Sequence, residues 1–331
     1  MKILLVSMRH TYGESDRELS FEYFNFYLVL ISMGHEVELF DYMSELRTVG
    51  KAAMNNKLLD KVRGWRPHLT LFSLFTNQFD PLAVDALRKY TKTFCFFHDD
   101  IWRVEFSRYW AKYFDYHSTT DFHGEFKYKE IGLPNAIYFP FGCNEHIFRN
   151  LNLPKRYDVS FVGAWHPWRQ WLINRIRMNG IKVEVAGFRW PKGEISQEDM
   201  VRTFNESRIN LNLSNSPSWD FRFLTSSPRS ILNRIRSPKT IEQIKARIFE
   251  ISGCGSFQLT YFVEGLASCY EIDREISVYT DADDLIRKIK FYLLHEDISI
   301  RMADAARQRT LSEHTYNQRF ISLFQRMRLL E

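Results

Sequence analysis

Short apolar runs that alternate with amphipathic segments constrain this chain more than any other feature. Residues 2–7 read as a strand. Ser15 and Glu18 form a capping box ahead of Phe21, Phe24, Leu28 and Ile31 at helical spacing, and Met33-Gly34 closes that helix. Residues 35–40 alternate into a second strand, so the opening segment is a βαβ unit. The pattern continues with a helix at 58–64, a strand at 68–73, a helix at 81–90 and a strand at 93–97. Such alternation predicts an α/β fold whose parallel sheet is covered by helices on both faces. Turn signals at 137–148 and 151–155 read as the end of this sheet and a linker. A second series follows: a strand at 157–162, a helix at 170–179 stopped by Gly180, a strand at 181–186 and a helix capped by Ser196. Strands at 208–213, 256–260 and 276–279 and three helical patterns from Asp281 onward complete it. Two doubly wound domains are expected, with the ligand cleft between the carboxyl ends of their strands.

At 331 residues and 45% hydrophobic content, the chain is long enough to bury two cores. Cys95, Cys143, Cys254 and Cys269 are widely spaced, which suggests neither a disulfide framework nor a zinc site. The opening apolar run is too short for a signal peptide, and no window reaches the length of a membrane span, so a cytoplasmic protein is expected. A net charge of +5 favours anionic ligands. The cations are scattered along the chain, which argues against a nucleic-acid-binding module. No G-x-G-x-x-G follows the first strand, where the turn reads Ser7-Met-Arg-His-Thr-Tyr-Gly13, and there is no Walker A motif.

Residues 239–257 load Lys239, Lys245 and Arg247 together with Glu242 and Glu250 around an expected helix that ends in Gly-Cys-Gly. Spacing alone leaves two readings: a solvated charged face, or a site where the cations and the helix N-terminus meet a diphosphate and Glu250 meets sugar hydroxyls. His98-Asp99-Asp100 follows a strand at the edge of the expected cleft. There a carboxylate would accept a proton from an acceptor hydroxyl or bond a sugar, or Asp99 or Asp100 would cap the next helix; two adjacent acids make a thin metal set. Gly163 to Arg169 joins a strand to a helix, either as a phosphate approach or as a tight turn. The aromatic stripe from Trp102 to Phe114 is expected to face the core rather than a membrane surface. The segment 221–239, with Arg222, Arg229, Arg234, Arg236 and Lys239, reads as a long irregular basic insertion.

The runs Tyr157 to Gly163, Ser207 to Asn212, Ile244 to Gly255, Gln258 to Thr260, and Glu275-Ile276, Asp284-Leu285, Lys290 to Leu293 and His314 to Arg319, resemble the CgeB-like glycosyltransferases in order and spacing. Phe97 to Asp100, Thr119 to Asp121 and Phe139 to Gly142 resemble family positions more loosely. These proteins are relatives of the "group 1" nucleotide-sugar transferases. The resemblance implies a GT-B fold: an acceptor domain over 1–152, a nucleotide-sugar domain over 153–314, and a helix over 315–331 that crosses back to the first domain. It also implies a nucleotide-sugar donor, most simply a UDP-sugar, no obligatory metal, and retention at the anomeric carbon. Group 1 enzymes carry Glu-x7-Glu, and Glu242 and Glu250 have that separation. The resemblance would make Glu242, Arg247, His98, Asp99 and Asp100 the catalytic set. Glu250, Lys245, Arg247, Arg169, Gly163, Asn212 and Ser214 would hold the donor, with Glu250 on the ribose and the cations on the diphosphate. The acceptor would be a cell-surface glycan precursor, a lipid-linked saccharide or a protein, and the basic insertion would suit an anionic acceptor or contact with the inner face of a membrane. A nucleotide-sugar epimerase of the same architecture is the rival reading.

Overall fold

A computed structural model of the chain describes residues 1–215, 218–237, 239 and 241–330. In chain order the elements are β1 (Lys2–Ser7), α1 (Leu28–Ser32), β2 (Glu36–Asp41), α2 (Tyr42–Trp65), β3 (Leu69–Ser73), α3 (Pro81–Leu87), β4 (Lys92–Phe96), α4 (Val104–Ala111), β5 (Tyr116–Thr119), α5 (Gly124–Glu130) and β6 (Ala136–Tyr138). Then come β7 (Tyr157–Val162), α6 (Pro167–Met178), β8 (Val183–Ala186), α7 (Gln197–Glu206), β9 (Ser207–Asn212), α8 (Phe221–Leu224), α9 (Pro228–Arg236) and α10 (Ala246–Gly253). The chain finishes with β10 (Gln258–Tyr261), α11 (Leu266–Cys269), β11 (Ser277–Tyr279), α12 (Ala282–Leu294), α13 (Glu296–Glu313) and α14 (Tyr316–Arg326).

Two compact units result: Met1–Asn144 with Tyr316–Glu331, and Glu145–Thr315. The first unit ends upstream of the expected boundary at 152, because the intervening segment is tied to the second. Leu151 N donates to Asn205 Oδ1 at 2.7 Å and Lys155 Nζ to Asn205 O at 2.8 Å. At the other end, Tyr316 N donates to Cys143 O at 2.9 Å, and Phe320 packs its ring 5.5 Å from that of Phe26, so α14 is part of the first unit.

The first unit holds a six-stranded parallel sheet in the order β2-β1-β3-β4-β5-β6. One face buries Leu4, Val6, Phe72 and Cys95 against Met54, Leu58 and Val62 of α2, which recur every fourth residue. Trp110 and Phe114 of the aromatic stripe join the same core, while Tyr109 faces solvent. The first helix is capped differently from expectation. Ser20 Oγ accepts from Tyr23 N at 3.1 Å and donates to Met8 O at 2.6 Å, and the residues that follow, Tyr23–Tyr27, take a π-helical turn before α1.

The second unit holds a five-stranded parallel sheet in the order β11-β10-β9-β7-β8. Its first strand, β7, lies between β8 and β9, so the winding reverses between β7 and β9. In doubly wound sheets the ligand crevice lies beyond the carboxyl ends of the strands at such a switch point. Ser196 caps α7 as expected, accepting from Asp199 N at 3.0 Å. The basic insertion is not irregular: it folds into α8 and α9, capped by Asp220 and Ser227. All four cysteines are buried thiols. Among the described residues, no helix is long and apolar enough to cross a membrane.

Candidate active site

In the second unit the residues that follow β7 and β9 meet those that precede α10. α10 begins at Ala246, later than expected, because Lys245 is still extended at φ −114° and ψ 153°. Glu242 therefore lies on the approach to the helix and not on it. No side chain at the cap position bonds the first N–H groups of α10, and this is the end of a helix that suits an anion. Lys245 is half-buried at that cap.

Ser214, just past β9, donates through Oγ to Glu242 Oε1. Behind this pair stand Tyr261 and Tyr279, at the ends of β10 and β11. Burial and then the Glu242 charge push both phenols up. Tyr261 Oη donates to Gln243 O at 2.9 Å, which pins the segment leading into α10. One turn into the helix, Glu250 is buried and its Oε2 accepts from Arg247 Nη1 at 2.7 Å. Burial raises the Glu250 carboxyl, and the neighbouring guanidinium pulls it partly back. The same guanidinium contacts Met200 Sδ and lies 5.3 Å from the Phe204 ring centre, so α7 fixes its direction.

Arg169 departs from its expected role. Its Nε and Nη2 donate to Leu213 O at 3.0 and 2.8 Å, and Nη1 donates to Ala164 O at 2.8 Å. The fork is spent on carbonyls at the ends of β7 and β9, so it holds the two lips of the crevice in place. Burial draws it down to about 10, against the opposing pull of Tyr261, Tyr279 and Glu242. His166, at the cap of α6, accepts from Trp168 N through Nδ1 at 3.3 Å. Burial, Arg169 and Lys239 lower it to about 4, so it is neutral at neutral pH.

Two other donor-set residues also turn out to be structural. Asn212 is buried with its Nδ2 3.0 Å from Thr260 Oγ1, binding β9 to β10 inside the sheet. Gly163 acts through its backbone. Its carbonyl accepts from Trp190 Nε1 at 2.9 Å, and a Cβ on the facing Gly187, at φ +135°, would stand 2.2 Å from that oxygen.

In the first unit the winding reverses between β1 and β3, and the side chains gathered there are Glu22, Ser73 and His98. Ser73 Oγ donates to Glu22 Oε1 at 2.5 Å, and His98 Nε2 lies 2.8 Å from the same oxygen and 3.0 Å from Ser73 Oγ. Since the serine proton goes to the carboxylate, the proton between these groups and the ring belongs to His98 Nε2. Burial pushes the Glu22 carboxyl up, but the His98 bond and charge and the Ser73 hydroxyl outweigh it, and the net shift is downward. Rings of Phe96 and Phe21, 4.7 and 5.4 Å away, box the imidazole. His98 is thus a ring of fixed orientation.

Asp100 is the clearest departure from expectation. It is buried and accepts from Thr119 Oγ1 at 2.6 Å, Thr120 Oγ1 at 2.6 Å and Thr120 N at 3.0 Å, so its carboxylate ties the end of β5 and faces no solvent. Asp99 is half-buried, and its carbonyl accepts from Arg103 N at 2.9 Å in the turn before α4. Arg103, not an aspartate, is the N-cap residue of that helix, and the Asp100 carboxylate is taken up by Thr119 and Thr120. Among the described residues, no three His, Cys, Asp or Glu side chains converge to hold a metal ion.

Sequence reasoning missed Glu22, Ser73, His166, Tyr261 and Tyr279. A polar residue closing an apolar strand was the available signal for Ser73. The others are brought in only by the fold.

Residues 169–325, from α6 into α14, match the protein family described as "Glycosyl transferase-like". Over whole chains, the fold is similar to sucrose-phosphate synthase of Thermosynechococcus elongatus, with a TM-score of 0.63 at 12% identity over 99% of this chain and 98% of that one. A glycosyltransferase of Rickettsia africae ESF-5 gives 0.65 at 11% identity, covering 98% and 97%. Anabaena Alr3699/HepE, solved in complex with UDP and glucose, gives 0.64 at 11% identity with both chains fully covered, at 100% and 100%. These likenesses establish the GT-B fold. In sequence, Uncharacterized protein L138 of Acanthamoeba polyphaga mimivirus is 44% identical over 55 residues, a stretch that makes up 15% of this chain and 6% of that protein.

Proposed function

We propose that this chain, a glycosyltransferase of the GT-B type, transfers a sugar from a UDP-sugar whose nucleotide sits against the N-terminus of α10. One observation carries the reading: the start of α10, bare of a side-chain cap, lies at the switch point with Lys245 at its cap and the Arg247–Glu250 pair in its first turns. In this reading Glu250 accepts from the ribose hydroxyls, and Lys245 and Arg247 face the diphosphate. Glu242, held by Ser214, faces the sugar. The leaving diphosphate gains charge as the glycosidic bond breaks, and fixed cations with helix N–H groups stabilise it without a metal. Similarity to Alr3699/HepE, which binds UDP and glucose, supports the choice of uridine.

His98, locked by Glu22 and Ser73, belongs in this reading to the sugar-transfer side of the reaction, with a glycan, lipid-linked or protein acceptor. Retention at the anomeric carbon rests in this reading on the likeness of Glu242 and Glu250 to the Glu-x7-Glu motif of group 1 enzymes, and the CgeB-like assignment on the resemblance of the ordered motifs. Incubating the protein with UDP-glucose alone tests the reaction class. Slow hydrolysis to UDP and sugar supports a transferase, and an epimerised nucleotide-sugar overturns it.

A further inference from the structure

Helix α9 is inside out. A surface helix on a globular domain turns its apolar stripe inward. Here Ser230 is the buried position, at 3% exposure, while Ile231, Leu232 and Ile235, clustered within little more than one turn, are 47%, 44% and 75% exposed. Trp219 and Phe221, just before and at the start of α8, add two more exposed rings, at 73% and 72%. The insertion is nevertheless anchored. Phe223 is fully buried with its ring 5.1 Å from Trp168 and 6.0 Å from Trp171, and Arg222 bridges Asp220 and Asp283 at 2.7 and 2.6 Å.

Charge says what such a face would meet. Between residues 218 and 241, Arg222, Arg229, Arg234, Arg236 and Lys239 stand against Asp220 as the one acid, and Asp220 is taken by Arg222. Arg229 and Arg236 border the apolar stripe on one side of α9 and Arg234 on the other, its guanidinium 3.8 Å from the centre of the Trp219 ring. No carboxylate among the described residues pairs with these three arginines. Cations bordering an aliphatic stripe, with a tryptophan at the rim, match the boundary between anionic headgroups and acyl chains. A second copy is a poor occupant, because a two-fold contact would set the same arginines against one another.

We propose that α8 and α9 form a docking surface for an anionic phospholipid bilayer, with Ile231, Leu232 and Ile235 entering the interface and Arg229, Arg234 and Arg236 on the headgroups. Vesicle binding requires no nucleotide, so this inference stands or falls independently of the donor reading. The test is co-sedimentation of the full chain with phosphatidylcholine vesicles with and without phosphatidylglycerol, for wild type, I231S/L232S/I235S and R229Q/R234Q/R236Q, each checked by thermal melting. Binding that needs phosphatidylglycerol, weakens with salt and drops about 10-fold or more in each variant is the expected result. Equal binding to both vesicles, or binding unchanged by both variants, overturns the proposal. So does the absence of vesicle binding, including the case where sedimentation velocity finds a dimer that the triple serine variant dissolves.

Discussion

Arg247 Nη1 lies 2.7 Å from Glu250 Oε2, so the cation and the acid in the first turns of α10 are each other's partners before any ligand arrives. A site poised to take a charged nucleotide gains from this. In the proposed donor site the acid assigned to the ribose is thereby held in one orientation, and the guanidinium beside it has further donors for phosphate oxygens.

Arg247→Ala removes the guanidinium and leaves a buried carboxyl whose ionisation burial already opposes. The Glu250 acid then rises further above its unfolded value, so the folded chain holds a proton that the unfolded chain releases. Stability is retained at low pH and lost as pH rises. A deficit of about 1–3 kcal/mol is expected at pH 8, discounted from a fully buried pair because Arg247 is partly exposed, with a smaller deficit at pH 5. Thermal melts of both proteins at the two pH values check it, and the chemical step of Arg247→Ala should fall about 100-fold.

Arg169→Lys keeps a positive charge but loses the fork that grips Leu213 O and Ala164 O. A loss of about 1–2 kcal/mol in denaturant unfolding is expected, with weaker UDP binding in spite of the conserved charge. If the lysine variant bound UDP as well as wild type, the positioning role would be wrong.

Gly187→Ala should cost more than Gly163→Ala. At 187 a Cβ meets the backbone carbonyl of Gly163 at 2.2 Å on a chain held at φ +135°. At 163 it meets only the tip of the Phe161 ring, at 2.9 Å, which can tilt away. A penalty of about 1–3 kcal/mol is expected for the first, measurable by melting, and a distinctly smaller one for the second.

His166 is lowered to about 4, and His117, a buried residue of β5 in the first unit, falls to about the same value by burial. The unfolded chain takes up these protons near pH 6.5, the folded chain only near 4, so stability falls as pH drops through that window. His166→Asn keeps an acceptor at the cap of α6 and removes one titrating group. Its melting temperature should fall less steeply than that of wild type between pH 6.5 and 4.

Much of the fold was legible because strand and helix periods are local. The strand Tyr157–Val162 and the Ser196 cap read directly from residue order. What escaped was decided by tertiary contact. α2 runs from Tyr42 to Trp65, but Gly50 breaks its helical geometry, and Met43, Leu46 and Val49 before that break are only partly buried. Ser20 rather than Ser15 caps the first helix because Met8 O is there to accept its hydroxyl. Residue order brings Glu242, Lys245, Arg247 and Glu250 into one stretch, but spacing cannot tell a carboxylate open to a ligand from one spent on neighbouring threonines. Asp100 belongs to the second kind and Glu22, hidden in a helical segment without a motif, marks the opposite error.

Calorimetric titration of UDP into the wild-type chain and into Glu250→Gln tests the central claim most directly. The substitution keeps the shape and removes the charge that would hold the ribose. Saturable binding to wild type that weakens about 10-fold or more in Glu250→Gln is the predicted result. No binding to the wild type, or equal affinity in both, would contradict a nucleotide site at α10.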